Sequence, residues 1–84
     1  MTKLNSYKKK EFQNAEKYRK KANINFIIPK IGSKYQLGSY EKINIVFVSD
    51  DIVQIAYRDI LENRVTKIIP LTNILNFEII KKEK

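Results

Sequence analysis

The side chains most able to do chemistry in this sequence are its lysines, which concentrate near the start. Residues 6–21, SYKKKEFQNAEKYRKK, carry seven positive and two negative charges, with aromatic rings between them. Ammonium groups at this density attract polyanions, of which nucleic acid and an anionic membrane surface are the two natural kinds. The opening segment therefore favours a polyanionic partner.

The net charge of +8 lies wholly in the first half of the chain. Residues 1–42 carry eleven basic and three acidic side chains, whereas residues 43–84 carry six of each. A field this asymmetric raises the local concentration of polyanions and speeds encounter with them. An AT-rich coding bias, with lysines that only solvate the protein, would explain the same composition without any partner.

Catalytic and metal-binding chemistry has little support in the sequence. With neither His nor Cys, it lacks the commonest general base, the thiol nucleophile and the usual transition-metal ligands. Asp50 and Asp51 could hold a cation, but turn chemistry accounts for them more simply. Gly32 and Gly38 are too far apart for a phosphate-cradling loop and are predicted to be turn residues. We therefore expect no enzyme activity, cofactor, metal or small-molecule substrate.

The basic segment is predicted to form an amphipathic helix over about residues 5–22. When successive residues are placed 100° apart around a helix axis, the apolar side chains form one stripe along the helix and the lysines lie on the opposite face. The stripe contains Leu4, Tyr7, Phe12, Ala15, Tyr18 and Ala22, and the basic face contains Lys9, Lys10, Lys17, Lys20 and Lys21. The stripe should pack on the rest of the domain, while the lysine face suits phosphate contact or simple solvation. A membrane-surface helix would want Trp, Leu or Phe on its buried face, so we expect no membrane partner.

From residue 24 the sequence changes to short apolar runs with alternation, which is typical of β-strands. Strands are predicted at 24–31, 43–48, 52–57, 64–69 and 74–80. The second and third should form a hairpin through SDD, and the last two should pair around PLTN. Short connections favour an antiparallel meander over a parallel crossover. We therefore expect a single α+β domain over 1–84, with an N-terminal amphipathic helix, a curled antiparallel sheet of four to five strands within 24–80, and a basic tail at 81–84.

Alternation also predicts the core. The face expected to be buried comprises Phe26, Ile28, Ile43, Ile45, Phe47, Val53, Ile55, Tyr57, Ile69, Leu75, Phe77 and Ile79. Apolar residues of the opposite parity are Val46, Val48, Ile68, Ile74 and Ile80. Closing the sheet into a small barrel or adding a second copy of the chain would cover this second set. A homodimer is expected, because so small a core provides little stability alone.

The stretch 30–42 extends the basic character beyond the helix. It places Lys30, Lys34 and Lys42 beside Tyr35 and Tyr40. Exposed tyrosine beside lysine is the composition of a surface on which unpaired bases stack while phosphates are neutralised. The same rings could instead pack on the helix or serve a protein interface.

The order of elements resembles the layout of small SH3-like barrels such as the Sm-like RNA-binding proteins. The resemblance rests on a helix followed by about five short strands and on the ending KIIPLTNILNFEI (67–79), a strand, a brief turn and a strand. Bacterial pleckstrin-like domains end in a similar way. Sm-like proteins carry a glycine in a bent second strand, which the predicted hairpin at 43–57 lacks, so the resemblance assigns no binding residue.

Together these features predict a small basic nucleic-acid-binding protein of the cytoplasm, acting as a regulatory or accessory factor. RNA or single strands are favoured over duplex DNA, because no helix-turn-helix pair is present to enter a major groove. No targeting segment is recognisable, since the longest apolar run is the four residues IVFV. The alternative is a protein-interaction module, such as an inhibitor or assembly factor, that uses a sheet edge or an apolar sheet face.

Overall fold

A computed structural model describes residues 3–29, 32 and 34–80 of the chain, and the side chains of residues 5 onward within those ranges. Helix α1 (Lys3–Lys17) is followed by strands β1 (Lys21–Pro29), β2 (Tyr35–Val48), β3 (Ile52–Arg58), β4 (Arg64–Pro70) and β5 (Ile74–Ile79), with a short 3₁₀ helix (Leu71–Asn73) between β4 and β5. The basic tail predicted at 81–84 lies outside the described residues. The α+β class is confirmed.

The five strands form one antiparallel sheet in the order β4-β3-β2-β1-β5. Strand β2 joins the two halves of the sheet, because Asn44 is paired with both β1 and β3. β4 and β5 lie at opposite edges and do not pair with each other within the described ranges. The sheet is therefore open, and the closed barrel considered from the sequence is not formed.

Helix α1 ends at Lys17 rather than near residue 22 as predicted. Arg19 adopts a left-handed conformation with φ of 55°. Around it, the N–H of Lys20 donates to the Ala15 carbonyl at 2.8 Å and that of Arg19 to the Glu16 carbonyl at 3.2 Å. This is the hydrogen-bond pattern of a Schellman cap, whose left-handed position is usually glycine. With neither glycine nor proline there, the sequence carries no stop signal.

The buried stripe of α1 is Lys8, Phe12 and Ala15, at the i, i+4, i+7 spacing of one helix face. The Phe12 ring lies 4.6 Å from that of Phe77 in β5. Tyr7 and Tyr18, which were expected in the stripe, are exposed. The surface that meets the sheet is thus narrower than the predicted one, and it includes a lysine.

Two β-bulges change which strand residues face the core. Val46 is an extra residue between the pairs Ile45–Ile55 and Phe47–Gln54, so Phe47 turns outward, with 49% of its surface exposed, and Val48 is buried. Leu75 is likewise the extra residue of β5, which buries Ile74 instead. An added residue moves every later side chain of that strand to the other face of the sheet. A prediction from strict alternation cannot anticipate such a bulge.

Most of the predicted core is confirmed despite these shifts. The buried members are Ile43, Ile45, Val53, Ile55 and Ile69, and Phe26, Tyr57, Phe77 and Ile79 pack against them partly buried. Ile28, Phe47 and Leu75 were wrongly included, since all three are exposed. Val48 and Ile74, assigned from the sequence to a second apolar face, belong to the core.

The connection from β4 to β5 crosses from one edge of the sheet to the other, so the predicted pairing of these strands around PLTN is wrong. Leu71 is fully buried, and its N–H donates to the Asp51 carbonyl at 2.8 Å. Lys8 Nζ donates to the carbonyl oxygens of Leu71 at 2.9 Å and Ile74 at 2.7 Å. These contacts direct the chain toward β1 instead of back along β4.

Strand β2 begins at Tyr35, in the connection between the predicted strands 24–31 and 43–48. Gly38 therefore lies inside a strand and not in a turn, which corrects the sequence interpretation. A Cβ atom at Gly38 would lie 2.6 Å from Phe26 Cζ, so the Phe26 ring requires the missing side chain. Gly32 lies between β1 and β2 with φ of 93°, as expected of a turn glycine.

Candidate nucleic-acid interface

Two adjoining grooves, of about 730 and 420 Å³, open beside the end of α1. They share Asn44, Tyr57 and Arg58, and we call them together the basic groove. Its charged lining consists of Arg19, Lys20, Lys21, Lys42, Arg58 and Arg64 against Glu16 and Glu41. Six cationic groups opposed by two carboxylates make the basic groove a strongly basic concave surface.

Three separate parts of the chain bring these cations together. The α1–β1 connection supplies Arg19 and Lys20, and Lys21 begins β1. Arg58 ends β3 and Arg64 begins β4, and the two are directly paired across the strands. Arg58 Nη1 also donates to the Glu62 carbonyl at 2.9 Å, which holds the guanidinium near the turn. Antiparallel pairing thus places two arginines side by side, although five residues separate them in the chain.

Lys42 enters the groove from a third β-bulge. Glu41 and Lys42 together oppose Asn23, between the pairs Ala22–Ile43 and Ile24–Tyr40. The N–H of Lys42 donates to Asn23 Oδ1 at 2.8 Å, and its φ is 53°. Left-handed bulge positions are normally glycine. Arg19 and Lys42 are therefore two basic residues in strained backbone positions, and both line the basic groove.

Aromatic rings form part of the groove wall. Tyr40 is half-buried, and its ring stacks on that of Phe26 at 5.1 Å and tilts against that of Tyr57 at 5.2 Å. Burial raises the pKa of Tyr40, and the neighbouring Tyr57 raises it further through its charge and a hydrogen bond. One face of Tyr40 is thus occupied by Phe26, so this ring acts as a fixed wall.

The structure divides the binding residues predicted from the sequence. Lys20, Lys21, Lys42 and Tyr40 line the basic groove. The predicted residues that do not line it are Lys9, Lys10, Lys17, Lys34 and Tyr35, and Lys30 lies outside the described residues. The predicted continuous lysine face is therefore interrupted where the helix ends.

Two of these outlying groups have other surroundings. Lys9 forms an ion pair with Asp50, and this hydrogen bond lowers the pKa of the Asp50 carboxyl. Tyr35 is 64% exposed, but it pairs with Pro29 at the far end of β1 from Lys21. At about 3.3 Å per residue that distance is roughly 25 Å. The 30–42 stretch thus does not act as one surface.

Sequence reasoning missed Arg19, Arg58 and Arg64, which are the only arginines of the chain. All three line the larger part of the basic groove, while the fourteen lysines are distributed more widely. Arginine presents a planar fork of donors that matches phosphate oxygens in pairs. Two features of the sequence could have indicated these arginines: their small number, and the positions of Arg58 and Arg64 at the two ends of a predicted turn.

Comparison of the chain with models of known protein families, with curated proteins and with solved structures found no match. Within the described ranges, no helix has the length and apolar character needed to cross a membrane. The same part of the chain holds no cluster of three acidic side chains suited to a metal ion.

Proposed function

We propose that this protein binds nucleic acid through the basic groove and acts as a regulatory or accessory factor. The observation that carries the proposal is the convergence of all three arginines with Lys20, Lys21 and Lys42 on one concave surface. Phosphate contacts of this kind supply most of the affinity in non-specific nucleic-acid binding. A solvated lysine surface accounts for scattered charge but gives no reason for this convergence.

Backbone strain supports the same proposal. A left-handed conformation costs a residue with a side chain roughly 1–2 kcal/mol, and glycine avoids that cost. Such strain concentrates at functional sites, where the side chain itself is needed. Two of the three described non-glycine residues in this conformation, Arg19 and Lys42, line the basic groove, and the third, Glu62, lies in the turn between β3 and β4.

RNA or single-stranded nucleic acid remains our preferred ligand over duplex DNA. The described part of the chain has one α-helix, so it offers no second helix for a major groove.

The resemblance to Sm-like proteins is also part of this proposal, and one feature of the second strand supports it. Because β2 begins at Tyr35, the second strand contains Gly38, in keeping with the glycine of that family's second strand.

Titration of a fluorescein-labelled RNA at two salt concentrations tests the proposal. If all six cations contact phosphates, log K should fall with log salt at a slope of about −4, since single strands give about −0.7 per contact. Fluorescence anisotropy at about 50 and 200 mM salt measures that slope. Weak binding that does not respond to salt would remove the nucleic-acid case.

Replacing Arg19 or Lys42 by glycine should separate stability from binding. Because glycine tolerates a left-handed backbone, each variant should keep or raise the free energy of unfolding, by up to about 1 kcal/mol. Each variant should also bind RNA more weakly, and the slope of log K against log salt should become shallower by the share of about one phosphate contact. Urea unfolding and anisotropy on the same samples provide both values. Variants that lose stability without losing affinity would show that these residues serve the fold alone.

A protein-interaction module is the second candidate, favoured by the open sheet. β4 and β5 are edges without a partner strand in the described ranges, and an extended segment of another chain could pair with either. Ile68 is exposed on β4 and would be covered by such a partner. We propose a homodimer on this basis, with Ile80 also partly exposed. Val46 is partly exposed too, but it lines the basic groove. Val48 is buried and cannot contribute.

A further inference from the structure

The turn between β3 and β4 displays two aliphatic side chains almost completely to solvent. Ile60 is 98% exposed and Leu61 is 79% exposed, the highest values among the exposed large hydrophobic residues of the described chain. Turn positions normally hold glycine, proline or short polar residues. Ile60 and Leu61 contribute nothing to the core, so packing within the domain does not explain them.

The turn is held in shape by its own hydrogen bonds. Asp59 Oδ1 accepts from the N–H groups of Leu61 and Asn63, each at 2.9 Å. The N–H of Asp59 donates to the Asn63 carbonyl and that of Glu62 to the Asp59 carbonyl, both at 3.0 Å. The Asp59 carboxylate therefore accepts hydrogen bonds within the turn itself. These hydrogen bonds fix the backbone that carries Ile60 and Leu61.

Two arginines lie at the base of the turn whose tip is formed by Ile60 and Leu61. Arg58 and Arg64 pair at the base of the turn, and both line the basic groove. A ligand that contacts both features would place anionic groups on the arginines and an apolar surface against Ile60 and Leu61. A stacked nucleic-acid helix has both, with phosphates outside and base faces inside, and aliphatic side chains are known to enter between base steps as wedges.

We infer that the Ile60–Leu61 tip inserts between stacked bases of an RNA helix while the basic groove holds the adjoining phosphates. The wide, shallow minor groove of A-form RNA leaves the base edges accessible to such a tip. This inference rests on the proposed function and adds a ligand class to it, a base-paired stem. Insertion separates two stacked bases, and no covalent step is involved.

The test uses an RNA stem-loop with 2-aminopurine in the stem, whose fluorescence rises when the base is unstacked. A set of stems carries the probe at successive positions, and a fluorescein label on the same stems reports binding by anisotropy. We expect the wild-type protein to raise 2-aminopurine fluorescence at the concentrations where anisotropy shows binding. The double variant Ile60→Ser, Leu61→Ser should lose that rise and weaken binding by less than about tenfold, because phosphate contacts supply most of the affinity.

The matched control removes two other exposed aliphatic side chains, by Leu37→Ser and Ile28→Ser, and should keep the fluorescence rise. Circular dichroism checks that both double variants fold, and Ile60→Ser alone replaces the first if it does not. Wild-type binding without a fluorescence rise, or an equal rise with the Ile60, Leu61 variant, would overturn the wedge and leave the groove proposal intact. Failure of the wild-type protein to bind any RNA would overturn both.

Discussion

The triple variant Arg19→Gln, Arg58→Gln, Arg64→Gln should bind RNA at least about 100-fold more weakly than the wild-type protein at low salt. Each charge-assisted hydrogen bond to phosphate contributes roughly 1.5–3 kcal/mol. Removing three such contacts should also make the salt slope shallower by about 2, at about 0.7 per contact. All three side chains line the same groove, and none belongs to the buried core. The fold should therefore survive, as thermal unfolding would show.

A control of equal charge distinguishes the groove from net charge alone. Lys10→Gln, Lys34→Gln, Lys67→Gln removes three positive charges from exposed positions outside the basic groove. This protein should bind RNA within about tenfold of wild type, because distant exposed charges are largely screened by salt. Equal losses in the two triple variants would mean that overall charge, and not the groove, attracts RNA.

Lys8→Met should lower the free energy of unfolding by about 2–4 kcal/mol. Lys8 is only 4% exposed, and its ammonium group donates to two carbonyl oxygens at the 3₁₀ helix. Methionine fills similar space but leaves both carbonyls without their donor, which costs about 1–3 kcal/mol for each buried group. Relief of the buried charge offsets part of that loss. Urea unfolding measures the change, and Lys10→Met on the exposed face should alter it by less than about 0.5 kcal/mol.

The same pair of proteins has a defined pH dependence. Burial lowers the pKa of the Lys8 ammonium below its ordinary value of 10.5. The unfolded chain therefore binds this proton more tightly, and the Lys8 contribution to stability rises with pH from the lowered pKa up to about 10.5. The stability difference between wild type and Lys8→Met should widen over that window. A difference that stays constant up to about pH 10.5 would show that folding leaves the Lys8 pKa unshifted, because both states would then bind the proton equally tightly.

The fold was largely predictable because periodicity reports local structure. Strands β3 and β4 were placed within one residue of their observed bounds, since Ile and Val runs bounded by polar turns are typical of strands. The bulges at Val46 and Leu75 were not predictable, because an extra residue is accommodated by neighbouring strands and leaves no local mark. The end of α1 was missed for a related reason, since Arg19 occupies a position where glycine is usual.

The candidate site was only half predictable, because it depends on pairing between distant segments. Lys20, Lys21 and Lys42 stood out through charge density. Arg58 and Arg64 did not, because they belong to a half of the chain whose net charge is zero. Their common location follows from the register of β3 and β4, which brings two isolated cations together opposite the end of the helix.

The contact of Lys8 with the 3₁₀ helix has a consequence for synthesis of the protein. Its two hydrogen bonds join residues 63 and 66 positions apart, so the first helix cannot be secured until residue 74 exists. During translation, α1 and β1 must leave the ribosome without their final neighbours, and the apolar side chains of Phe12 and Ile24 stay uncovered meanwhile. Completion of the core thus awaits the last strand. Contacts of such long range slow folding, and they expose a growing chain to aggregation or to chaperones.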